Sequence, residues 1–157
     1  MILEPNDRGG YDLETFEWQR QMLSNLVPSL RDLLLDGSSP ILRRLYPTAY
    51  PADAEANKAF EELVHDQLLE QKLAALDTVE SSLTATELSE AQLTEWMNAI
   101  NSIRLVLGTR LDISEEDDPL DVPEDDPDRP LWVSYEMLSQ MLGLIVDVLT
   151  GSLGSSD

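Results

Sequence analysis

The chain predicts an all-α fold: a single-domain bundle of about five helices, with a long acidic loop between the last two. Three observations carry this. Apolar residues recur at threes, fours and sevens along the main segments. Helix start and stop residues bracket those segments. No stretch alternates apolar and polar residues with β-branched enrichment between turn signals, so no strand is expected. The expected helical domain covers 12–150, with 1–11 and 151–157 as flexible ends.

The first helix is expected from Asp12 to Leu35, on the spacing of Leu13, Phe16, Leu23, Leu26, Leu30 and Leu33. Pro28 lies inside that pattern and predicts a kink or a division of the helix, because its ring removes an amide donor. Gly37 is the stop signal. "SSPILRRLY" predicts a short helix with a serine cap and Pro40 in its first turn. "YPTAYP" then reads as a rigid connector.

A long helix is expected from Asp53, its cap, to Leu83, with Phe60, Leu63, Leu69, Leu73, Leu76 and Leu83 on its apolar side. Glu61, Glu62, Asp66, Glu70 and Asp77 charge it, offset only by Lys58 and Lys72. The next helix opens with a capping box, Ser89 to Gln92, and runs to about Leu111. The last is expected from Pro130 to Leu149, with Gly151 as its stop. Between these two, the acidic loop spans 112–130. From Asp112 to Asp128 it holds ten carboxylates, no base, and the helix breakers Pro119, Pro123 and Pro127. Mutual repulsion predicts a mobile loop.

Composition narrows the function classes. Ten Lys and Arg against 31 Asp and Glu give a net charge of −21. Such a charge repels phosphate backbones and anionic lipid, and the closest basic pair, Arg43–Arg44, is followed by no base until Lys58. Direct nucleic-acid binding and membrane association are therefore disfavoured, and a protein partner with a basic surface is favoured. With no cysteine, this sequence holds no disulfide, thiolate metal site or thiol switch. "MILEPNDRGG" lacks the features of a secretory signal, and "MLGLIVDVL" is too short to span a bilayer and contains Asp147, so a cytoplasmic location is expected.

The sequence carries little recognisable catalytic chemistry. The acidic loop has no glycine, which an EF-hand requires at its sixth position, so weak counterion attraction is expected rather than specific calcium binding. Glu62 and His65 form Glu-x-x-His, the motif that di-iron bundles take from two helices, but His65 is the only histidine. Surface exposure on a charged helix is the plainer reading. No nucleophile elbow and no glycine-rich phosphate loop is present. The expectation is a non-enzyme with no cofactor and no catalytic, cofactor-binding or metal-binding residue.

"NAINSIRLVLGTRL", residues 98–111, belongs to the helix with apolar residues on most sides. Leu93, Trp96, Ile100, Ile103, Leu107 and Leu111 form one stripe, the expected core contact. Met97, Asn101, Arg104 and Gly108 form a second line, in which Gly108 admits a close neighbour and Arg104 bonds to it. In a chain so rich in acid, the expected partner of Arg104 is a carboxylate.

"LSEAQLTEWMNAINSIRLVLGTRLDISEEDD" resembles an actinobacterial family of unknown-function proteins commonly encoded beside the Clp protease adaptor ClpS. Trp96, Asn101, Arg104, Leu105, Leu107, Gly108 and Leu111 match its pattern of Trp, Asn, Arg-Leu and Leu-Gly-x-x-Leu before an acidic loop. "ILRRLYPTAYPADAEANKAFEEL" is similar to its middle region. The resemblance covers about 12–150 and brings no catalytic residue with it. Some members are labelled regulators of transcription in the oxidative-stress response, a role linked to cysteines, which this sequence lacks.

The function expected is a non-catalytic regulatory or protein-interaction protein, binding through its acidic surface or an exposed apolar face of the last helix. A homodimer is compatible with the sequence. The alternative is a transcriptional regulator of the stress response, acting at DNA or through a transcription-machinery partner. A metal-dependent enzyme resting on Glu62 and His65 stands third.

Overall fold

In a computed structural model, residues 1–46, 54–113, 117 and 121–151 are described, residues 54–57 through their backbone only. The fold is mostly helical, as expected, but three short strands correct the strand-free reading. The N-terminus, expected as a loose end, forms β1 (Ile2–Pro5). It pairs antiparallel with β2 (Tyr11–Glu14), which pairs antiparallel with β3 (Glu87–Leu88). Leu3 faces Leu13 across the first ladder and both are buried, while their neighbours point outward. That is the period of two of a strand covered on one face.

The intervening turn explains why these short segments hold. The Asn6 side-chain oxygen accepts from the amides of Arg8 and Gly10, both at 3.0 Å. Gly9 takes φ +82°, where a side chain would be strained. A Cβ on Gly10 would sit 2.8 Å from the Leu88 carbonyl oxygen, so glycine is what lets β3 come alongside. Arg8 then bridges Glu87 at 2.8 Å and Asp12 at 3.1 Å over the exposed side.

With Asp12 and Leu13 used in β2, α1 starts later than expected and covers Glu17–Asp36. The buried Gln19 side chain accepts from the Phe16 amide at 2.9 Å, satisfying one donor at the helix start. Pro28 does not divide the helix. Gly37 ends it in the left-handed conformation, its amide reaching Leu33 O at 2.9 Å. Pro40–Leu45 follows as a 3-10 helix capped by Ser39. Asp53, the expected cap of the long helix, lies outside the described residues, and α2 covers Ala54–Ser81.

α3 (Glu90–Arg110) opens with the predicted capping box, Ser89 Oγ accepting from the Gln92 amide and Gln92 Oε1 from the Ser89 amide. Leu93, Trp96, Ile100, Ile103 and Leu107 are all buried. This helix sits between α2, α4 (Arg129–Leu149) and the 3-10 segment, which accounts for its apolar faces. The Trp96 indole, fully enclosed, donates to Ser82 Oγ at 2.8 Å. α4 turns Leu138, Met141, Ile145 and Val148 inward, so most of the apolar face expected to bind a partner is spent on the core. Among the described residues, no helix is long and apolar enough to cross a membrane.

Candidate functional site

Two places carry side chains that the core does not need, and the first surrounds Arg104. Arg104 Nη1 donates to the Tyr135 hydroxyl at 3.3 Å and Nη2 to Asn101 Oδ1 at 3.3 Å. Its Cζ lies 5.8 Å from the Tyr135 ring centre, within cation–π reach. The expected carboxylate is not among its described partners: among the described residues Arg104 makes no ion pair. The reason is geometric. Asn101 is one helical turn away, and α4 presents Tyr135 at the point where Gly108 lets it close in. A Cβ on Gly108 would stand 3.3 Å from the Tyr135 ring and 3.6 Å from Arg44 Nη1. Arg104 Nε is buried with no hydrogen-bond partner among the described residues. This cluster fastens α4 and the 3-10 segment to α3, which is the structural role read from the sequence with a different partner.

The second place is the first half of α2. Among the described residues, the fully buried positions of α2 are Ala75, Leu76 and Val79, with Leu69 and Leu73 half-buried against the core. Earlier, residues 58–63 are all exposed. Phe60 and Leu63, expected on the apolar side with Leu76, are 62% and 57% exposed. At 100° per residue they point about 100–160° away from Leu76 and Val79. The sequence pattern therefore contained the signal, but the count of leucines concealed it. Asp66 and Glu70 continue the same outward face, and from Ala59 to Gln71 the helix has no lysine or arginine.

His65 faces the other way. Its ring stacks on Tyr46, centres 4.1 Å apart, and so ties α2 to the end of the 3-10 segment. Glu62 stays exposed, and among the described residues no three His, Asp or Glu side chains are grouped to hold a metal ion. The Tyr46 hydroxyl is buried without a partner among the described residues, and that burial raises its pKa. A cleft of about 160 Å³ is lined by Met1, Gln19, Met137, Gln140, Met141 and Leu144. That is below the roughly 300–1,000 Å³ of small-molecule sites.

Residues 4–149 match the family described as Domain of unknown function (DUF2017). The chain belongs to the DUF2017 family. Its similar proteins include the "Oxidative stress regulator AosR" of Mycobacterium tuberculosis, 32% identical over 130 residues. That alignment covers 80% of this chain and 59% of the relative. The "Putative oxidative stress regulator AosR" of Mycobacterium leprae is 35% identical over 116 residues, covering 70% of this chain and 51% of the relative. The DUF2017 chain thus spans only part of the length of these curated relatives. No solved structure matches it. Both the Arg104 cluster and the exposed half of α2 fall within the DUF2017 match.

Proposed function

We propose that this DUF2017 chain is a non-catalytic regulatory module that acts by docking a protein with a basic surface. The observation that carries the reading is the outward face of α2, where Phe60 and Leu63 are exposed beside Asp66 and Glu70 in a chain of net charge −21. Apolar side chains on the solvent side of a helix contribute nothing to its own core and are available to a partner. The regulator names of the mycobacterial relatives support the same class of role. With no cysteine in these 157 residues, a thiol within them is not the oxidant sensor.

The test is a pair of titrations across salt. A basic protein such as a lysine-rich histone should bind, with affinity falling as salt rises from about 0.05 to about 0.5 M, because screening shortens to a few ångströms. Duplex DNA should not be retarded by the purified chain at physiological salt. A clean gel shift would instead support the reading as a regulator acting at DNA.

A further inference from the structure

The surface and the shape of its partner can be named more closely, on the basis of the docking reading above. We propose that residues 59–71 of α2 form a docking strip for a basic amphipathic helix of another protein. That helix would set apolar side chains on Phe60 and Leu63 and lysines or arginines on Asp66 and Glu70.

Three observations select this strip. Among the described large apolar residues that are exposed, Phe60 and Leu63 are one helical turn apart on one face, the spacing that a packed helix meets. The other close pair, Phe16 and Trp18, is already stacked ring on ring, with centres 6.3 Å apart. Ile2, Leu35, Val133 and Val146 stand singly along the sequence, as scattered surface residues do.

Second, the fold leaves Phe60 and Leu63 outside the chain's own core: among the described residues, α2 packs on that core through the half-buried Leu69 and Leu73 and the fully buried Ala75, Leu76 and Val79. His65 against Tyr46 fixes the opposite side of the helix, so the strip is presented on a seated element. Third, charge selects the occupant. Glu61, Glu62, Asp66 and Glu70 lie between Ala59 and Gln71 with no lysine or arginine among them. A second copy would set these carboxylates against their own kind, and two chains of charge −21 repel. A helix with basic flanks gains from the same field.

The strip is tested by calorimetric titration of the full chain with an 18-residue synthetic peptide. The peptide carries leucines at helical spacing flanked by lysines, and its counterpart carries glutamate in place of lysine. The parent should bind the lysine peptide and not the glutamate one. Phe60→Ser with Leu63→Ser should weaken that binding on the order of tenfold or more, the loss typical of central apolar anchors. Phe16→Ser with Trp18→Ser should leave it unchanged. Asp66→Lys with Glu70→Lys should weaken the lysine peptide and admit the glutamate peptide, a gain that an unfolded variant cannot mimic. Parent binding that all these variants retain would overturn the strip while the docking reading stands. No binding of the lysine peptide at any salt would overturn both. Sedimentation of the parent as a dimer that Phe60→Ser with Leu63→Ser dissolves would make a second copy the occupant and also overturn the proposal.

Discussion

Replacing Arg104 by alanine separates two accounts of the central helix. Had a buried carboxylate held this guanidinium, removing it would cost about 3–5 kcal/mol, because the acid would stay buried and unpaired. The observed partners are neutral. Two hydrogen bonds at 3.3 Å are long, and each is worth about 0.5–1 kcal/mol. The cation–π contact at 5.8 Å, near the outer limit, adds about 0.5–1 kcal/mol. Arg104→Ala should therefore cost about 1.5–3 kcal/mol in all. At a urea slope of about 2 kcal/mol per M, the unfolding midpoint should fall by roughly 1 M. Tyr135→Phe removes the hydroxyl but keeps the ring, and should cost about 0.5–1 kcal/mol. Arg104→Lys should fall between parent and alanine, since an ammonium cannot bridge both partners. Arg129, which donates to the Val122 carbonyl, is a poor control. Arg43 is exposed and bonds only to Pro40 O at 3.3 Å among the described residues, and Arg43→Ala should leave the midpoint in place. An unchanged midpoint for Arg104→Ala would refute the fastening role, and a loss beyond about 3 kcal/mol would point back to a carboxylate partner.

Three further outcomes follow from single contacts. Ser82→Ala strips the enclosed Trp96 indole N–H of its acceptor and should cost about 1–3 kcal/mol by urea unfolding, with much of that loss absent in a Trp96→Phe background. Gly10→Ala forces a methyl to 2.8 Å from the Leu88 carbonyl oxygen and should lower the melting temperature by several degrees, chiefly by parting β3 from the hairpin. Tyr46 holds its proton more tightly when folded than unfolded, so the unfolded chain releases it first as pH rises past about 10 and stability falls there. Tyr46→Phe should raise stability at neutral pH by about 1 kcal/mol, by deleting a buried hydroxyl with no partner among the described residues, and should flatten that alkaline decline in a urea series from pH 8 to 11. A Tyr46→Phe variant less stable than the parent would mean the hydroxyl has a partner.

The helices were legible because their signals are local. Ser89 and Gln92 cap the helix they begin, Gly37 stops the one before it, and the Leu93–Leu107 stripe lies in the core. The strands were not, because four residues hold too few alternations to register. "ILEP" and "YDLE" bury one leucine each, and β3 has two residues. The available cue was "NDRGG" between two short runs, a glycine-containing turn of hairpin length. Tertiary partners were equally out of reach. Arg104 advertised that it would bond to something, but choosing Tyr135 required knowing that α4 crosses at Gly108. Phe60 and Leu63 share the expected apolar side with Leu76 by residue type, although their angular position opposes that of Leu76 and Val79. The residues that a sequence places wrongly inside are here the ones that carry the docking proposal.

The most direct test of that account is amide hydrogen exchange of the full chain with and without the lysine-flanked helical peptide. Docking on α2 predicts slowed exchange confined to residues 59–71 and the turns beside them, fading as salt rises. Protection centred on α4 or on the Phe16–Trp18 pair, with α2 unchanged, would contradict it.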